Sequence, residues 1–331
     1  ANLMATVEKE GNMNSKVVKD NLNPKAYNTI YEAFSKTYGE ENVSFLPGVS
    51  YKKNGSFYDM MEDDIQKVVD AAKYHDYILL CLGENCYTEK PGDLNDLNLH
   101  KLQLKLANAL SKCGKPIILV LNIGRPRLIS EIEPFMSAVL NIYLPGNLGG
   151  DALVDIVNGK VNPSGKLPYT YPAFPNSLST YYYKPSEVQN NSQGAYNYVG
   201  ELNNLYEFGF GLSYTSFEYK DIAIENDSIN ADDSLNISLT VYNSGNVDGQ
   251  EVVQVYVSDL FASITPDNKR LRAFDKVFIK SKESKKVSFS IAAKDFSFVN
   301  LENKYVLESG DFTLHIGGNS KDLTSLNFYV R

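Results

Sequence analysis

Residues 77–84, Tyr77-Ile78-Leu79-Leu80-Cys81-Leu82-Gly83-Glu84, run apolar and then break at a glycine followed by a carboxylate. A short, wholly apolar run closed by a turn residue reads as a strand buried on both faces, as at the centre of a parallel sheet. The next segment, Asn85-Cys86-Tyr87-Thr88-Glu89-Lys90-Pro91-Gly92-Asp93, reads as a loop. An amphipathic run from about Leu99 to Lys112 then reads as a helix. A loop bearing Glu84 and Glu89 therefore leaves the carboxyl end of a strand, the edge at which open α/β sheets bind ligands. A carboxyl group placed there is a candidate general acid or base.

The same alternation extends outward from this strand. Upstream, Pro24 to Tyr38 predicts a helix with Asn23 as its cap, Val43–Leu46 a short strand and Met61 to Tyr74 a second helix. Residues 1–22 are polar and irregular and show no obvious first strand. Downstream, Pro116–Asn122 and Ser137–Leu144 predict apolar strands, and Gly149–Asn158 a helix. Strands apolar on both faces, alternating with helices, predict an α/β fold: a mostly parallel sheet covered by helices on both sides. Residues 162–215 break the pattern with Pro, Ser, Asn, Gly and Tyr and read as an extended loop region closing this domain. From about residue 216, short stretches such as Ser234–Tyr242, Val252–Val257 and Phe312–Ile316 alternate apolar and polar residues between turns, which predicts an all-β sandwich. The expected boundary lies at 215/216.

Bulk properties narrow the partners. A net charge of -8 over 331 residues argues against nucleic acid and against an anionic membrane surface. No apolar run is long enough to span a bilayer. The N-terminus lacks a basic region followed by an apolar one, so it does not read as a signal peptide. Cys81, Cys86 and Cys113 suggest neither a disulfide framework nor a zinc site, and His75, His100 and His315 are isolated. No cofactor or metal is expected.

Five motifs in order carry a resemblance. They are the glutamate loop, Asn122-Ile123-Gly124-Arg125-Pro126, Leu144-Pro145-Gly146-Asn147-Leu148-Gly149-Gly150-Asp151-Ala152, Pro163-Ser164-Gly165-Lys166-Leu167-Pro168 and Phe208-Gly209-Phe210-Gly211-Leu212-Ser213-Tyr214. Together they resemble the C-terminal half of glycoside hydrolase family 3. Val299-Asn300-Leu301-Glu302-Asn303-Lys304 and Gly310-Asp311-Phe312 resemble that family's fibronectin type III-like domain. The resemblance implies a retaining, exo-acting β-glycosidase of β-glucosidase type, acting on β-linked glucosides or oligosaccharides, in a secreted or periplasmic setting. It implies a nucleophilic aspartate on a preceding (β/α)8 barrel, which this sequence does not contain. It further implies that the sandwich domain lends the acid/base loop. The sequence is then expected to be a fragment, an isolated-domain form or one subunit of a split protein, inactive alone.

The Gly-Glu-x-x-Tyr-Thr-Glu form of the loop implies Glu89 as acid/base, with Glu84 as the alternative. Tyr87 can stack or hydrogen-bond at a sugar subsite, or pack beneath the loop. Arg125 can orient Glu89, contact substrate, or form a structural ion pair with a loop carboxylate. Asp93 is expected to fix the loop through an Asx turn. Asn147-Leu148-Gly149-Gly150 can present amides to an anion, but close packing explains those glycines better. Tyr181-Tyr182-Tyr183 and Tyr196–Tyr198 can line a sugar cleft or cover a barrel. The alternative reading is a non-catalytic carbohydrate-binding or interaction module.

Overall fold

The computed structural model describes residues 3–5, 27–56, 58–85, 92–175, 177, 179–185 and 204–331. They form two compact units, 1–160 and 161–331.

In the first unit, β1 (Leu3–Ala5) is followed by α1 (Ile30–Tyr38), β2 (Val43–Phe45), β3 (Val49–Tyr51) and β4 (Met60–Glu62). Then come α2 (Ile65–Ala72), β5 (Tyr77–Gly83), α3 (Lys101–Leu110), β6 (Ile117–Asn122), β7 (Ala138–Asn141) and α4 (Gly149–Val157). The sheet runs β2-β1-β5-β6-β7, and each neighbouring pair is parallel. Strand β5 explains its own sequence: Ile78, Leu79, Leu80 and Leu82 are at most 2% exposed because helices cover both faces. Leu79 and Cys81 join Ala33 and Phe34 of α1 and Leu153 and Val154 of α4 in one core. Alternation turns Ile78, Leu80 and Leu82 to the opposite face.

The expectation that no first strand is present needs correction. Leu3–Ala5 lies between β2 and β5, in register with Val43–Phe45 on one side and Tyr77–Leu79 on the other. Three residues are too short for a periodic signal, and pairing on both edges defines the strand instead. Two helix starts also move. Helix α1 begins at Ile30, not Pro24, because Thr29 and Glu32 form a capping box: Glu32 N donates to Thr29 Oγ1 (3.2 Å) and Thr29 N to Glu32 Oε2 (2.8 Å). Helix α2 begins after Asp64, whose carboxylate accepts from Lys67 N (2.9 Å). The preceding Met60–Glu62 is drawn into antiparallel pairing with β3.

The second unit continues with β8 (Tyr171–Pro172), β9 (Asn204–Tyr206), β10 (Phe217–Ile224), β11 (Ser228–Ile229), β12 (Ser234–Asn243) and β13 (Gly249–Asp259). It ends with β14 (Arg270–Ile279), β15 (Ser284–Ala292), β16 (Phe298–Val299), β17 (Tyr305–Val306), β18 (Gly310–Gly317) and β19 (Leu323–Val330). The sheets β10-β12-β15 and β11-β19-β18-β13-β14 form the sandwich, with Leu235, Ile237, Leu239, Val241, Val253, Val255, Leu314 and Ile316 in its core. By compactness the chain divides between Lys160 and Val161. The polar, tyrosine-rich stretch is stitched to the sandwich. Gln254 Nε2 donates to Gly209 O (3.2 Å), Lys166 Nζ lies 3.3 Å from Glu251 Oε2, and Tyr181 stacks on Phe208 with centroids 4.2 Å apart. Tyr181 also meets Tyr256 edge-on, and the Arg270 guanidinium sits 3.9 Å over the Tyr182 ring, so these tyrosines pack within their own unit. Tyr196–Tyr198 lie outside the described residues.

Candidate active site

The strand order reverses between β1 and β5, so the crevice of the sheet opens at their carboxyl ends. The glutamate loop leaves β5 at this point. Its first residues are tightly held. Glu84 N donates to Asn122 O on β6 (3.0 Å). A Cβ on Gly83 would lie 2.1 Å from that same carbonyl oxygen, so the glycine is required by close strand approach. Gln103 of α3, 1% exposed, grips the Gly83 peptide from the other side. Its Oε1 accepts from Gly83 N (3.1 Å) and its Nε2 donates to Gly83 O (2.7 Å). Tyr51 OH donates to the same carbonyl (2.6 Å), and burial pushes its phenol up to about 12, so it stays a donor across the neutral range.

Glu84 sits in a cage of positive charge. Its Oε1 lies 3.3 Å from Arg125 Nε and 3.5 Å from Arg127 Nη1, and its Oε2 accepts from Gly124 N (3.2 Å). The Glu84 side chain is 8% exposed. The same two arginines reach the far end of the loop. Arg125 Nη1 donates to Gly92 O (2.7 Å); Arg127 donates through Nη1 to Asp96 O (3.4 Å) and through Nη2 to Asn98 O (2.5 Å). Burial lowers the Arg127 pKa, and the Glu84 charge opposes that shift. Downstream, Asp96 Oδ1 accepts from Asn98 N (2.9 Å) and Nδ2 (2.7 Å), an Asx turn. Asp93 is exposed. His100 caps α3, its Nδ1 accepting from Leu102 N (3.2 Å), and burial lowers its pKa in keeping with a neutral ring.

Of the residues singled out from sequence, Glu84 and Arg125 are therefore brought together, as an ion pair. Tyr87 and Glu89 lie outside the described residues. Arg127, Gln103 and Tyr51 were not anticipated. Gln103 carried a signal: it shares the buried stripe of α3 with Leu106, Ala107 and Leu110, and a polar residue on such a stripe needs a partner. The glycines of the Asn147–Gly150 turn are explained by packing, here against the start of α1. A Cβ on Gly150 would lie 2.8 Å from Thr29 O. Asp151 Oδ1, in the first turn of α4, accepts from Asn28 Nδ2 (2.8 Å). A cleft of about 210 Å³ lies beside this turn, between Thr29, Tyr31, Leu82 and Asn122. Among the described residues no three His, Cys, Asp or Glu side chains converge as a metal site, and no helix is long and apolar enough to cross a membrane.

A doubly wound parallel sheet with a carboxyl-bearing loop at its switch point, followed by a β-sandwich, defines the class: an α/β ligand-binding domain with an all-β companion. Comparison with known proteins gives the family. Residues 4–214 match the glycosyl hydrolase family 3 C-terminal domain, and residues 251–320 match the fibronectin type III-like domain. The chain belongs to that glycosyl hydrolase family. It is 37% identical over 268 residues to a lysosomal beta glucosidase of Dictyostelium discoideum, covering 77% of this chain and 31% of that protein. It is 33% identical over 311 residues to a beta-xylosidase of Formosa agariphila, covering 93% of this chain and 42% of that protein. Among solved structures, a beta-glucosidase from Listeria innocua superposes with a TM-score of 0.84 at 26% identity, covering 99% of this chain and 45% of that one. The chain thus spans less than half the length of these relatives.

Proposed function

We propose that this chain is the C-terminal part of a retaining, exo-acting β-glycosidase of β-glucosidase type. It supplies the acid/base loop, and the nucleophilic aspartate resides on a (β/α)8 barrel domain, on the same or a separate polypeptide. The substrate is a β-linked glucoside or oligosaccharide. The observation that carries the reading is the occupancy of Glu84. Its carboxylate is bound by Arg125, Arg127 and the Gly124 amide, so proton transfer to a substrate would require breaking these contacts. That supports Glu89 as the loop's acid/base. Glu89 protonates the departing glycosidic oxygen, the barrel aspartate forms the glycosyl-enzyme, and Glu89 then deprotonates the incoming water.

In the complete enzyme, Glu89→Ala should lower the rate on unactivated alkyl β-glucosides by roughly a hundredfold to ten-thousandfold, the usual worth of a general acid. Rates on dinitrophenyl β-glucoside, whose leaving group departs without a proton, should fall far less in the first step. Azide should restore turnover by attacking the glycosyl-enzyme. If Glu84→Ala shows this pattern and Glu89→Ala does not, the assignment is wrong. Sugar binding without turnover, even with the barrel supplied, would instead favour a binding module.

A further inference from the structure

We propose that Arg125, Arg127 and Glu84 form a clamp that positions the acid/base loop for proton donation; the proposal rests on the reading of Glu89 given above. One guanidinium, Arg125, touches both flanks of the segment: its Nε lies 3.3 Å from Glu84 Oε1 and its Nη1 2.7 Å from Gly92 O. The residues between those two anchors include Glu89. Arg127 extends the grip, reaching Glu84 through Nη1 (3.5 Å) and the Asn98 carbonyl through Nη2 (2.5 Å).

Both arginines lie just past the end of β6, at Asn122, so the clamp ties the loop to the segment that leaves the neighbouring strand. Glu84 is the keystone. It lies against two guanidiniums, 24% and 11% exposed in their side chains, and offsets one of their two charges, which lessens their mutual repulsion. Behind it, Gln103 and Tyr51 hydrogen-bond the Gly83 backbone, so the strand end that leads into the loop is held in place.

Such a network acts on catalysis through geometry. Fixing two ends of a short loop lowers the conformational entropy that the proton donor would otherwise lose on reaching the glycosidic oxygen. These three residues are positioning residues and touch no substrate in this account. A planar fork is needed to hold a carboxylate and a carbonyl at once, and an ammonium cannot reproduce it.

The test uses the complete enzyme, this chain assembled with its barrel. Arg125→Lys keeps the charge and loses the fork; Glu84→Gln keeps the shape and loses the charge. Each should lower kcat/KM on an alkyl β-glucoside by roughly ten- to a hundredfold, the scale of a misplaced catalytic group, with KM little changed. On dinitrophenyl β-glucoside kcat/KM should change by less than about twofold, because that step does not depend on a proton donor. A fluorinated mechanism-based inactivator with a good leaving group counts folded active sites, so a variant that misfolds is corrected for rather than misread. Equal losses on both substrates, or no loss on either once sites are counted, overturn the clamp. If Glu89→Ala is itself unselective, the Glu89 reading and the clamp fall together. If Glu89→Ala is selective and the clamp variants are not, the clamp alone falls.

Discussion

At the scale of single residues, Gly83 and Glu84 show how one position can serve two constraints. Gly83 closes β5 where its backbone nearly touches Asn122 O, and that oxygen also receives the Glu84 amide. Gly83→Ala would drive a methyl group into the carbonyl and push the start of the loop away from β6. The expected cost is about 1–3 kcal/mol of unfolding free energy, the usual scale of overpacking, measured by urea denaturation of the chain. A loss within experimental error would mean that the strand ends tolerate separation. The prominence of this spot was legible in the sequence: an apolar run ending in Gly-Glu marks a strand's carboxyl end. The role of Glu84 was not. Its partners lie about forty residues away at Gly124, Arg125 and Arg127, and no local pattern places a guanidinium against a given carboxylate.

At the scale of elements, legibility followed periodicity. The strands β5 and β6 and helices α3 and α4 could be read within a residue or two, because each buries a regular stripe. The short pieces, β1 and β4, could not, because their conformation is set by the strands they pair with. Cap chemistry would have placed α1 correctly: Thr29-x-x-Glu32 is a capping-box pattern in plain view, but the proline upstream drew the start too early. In the sandwich, His315 shows what strand pairing does to a residue that looked isolated. Its ring bridges β13 and β19, with Nε2 2.9 Å from Ser258 Oγ and Nδ1 2.7 Å from Ser325 Oγ. Ser258 Oγ donates to Asn268 O, so Nε2 carries the proton and Nδ1 accepts. Burial, helped by the Lys269 charge, lowers the imidazole from 6.5 to about 4. The folded state therefore favours the neutral ring. The stability it contributes is complete above the unfolded value of about 6.5 and is lost as pH falls toward about 4. Urea midpoints should drop between pH 7 and pH 5, and His315→Gln, which can still donate to Ser258, should flatten that drop. Parallel pH profiles for the two proteins would exclude the histidine as its source.

At the scale of the whole molecule, the function proposed here gives the chain a proton donor's loop but no nucleophile to work with it. A retaining glycosidase needs two carboxyl groups about 5–5.5 Å apart across the scissile bond. Family membership places this chain with relatives more than twice its length, and on the proposed reading the second group comes from the part of such a protein that this chain does not span. Acid catalysis without that group has little to act on: protonating a glycosidic oxygen at neutral pH gains nothing unless charge developing at the anomeric carbon is met by a nucleophile. The chain alone should therefore hydrolyse dinitrophenyl β-glucoside no faster than buffer. That substrate is a demanding choice, since it needs no proton donor and would expose any nucleophile the chain possesses. Addition of the barrel, as a separate domain or joined to the N-terminus, should produce turnover that saturates with barrel concentration. It should be abolished on alkyl glucosides by Glu89→Ala supplied in the chain. Turnover by the chain alone would sink the split-site account, because both carboxyl groups would then have to lie within these 331 residues.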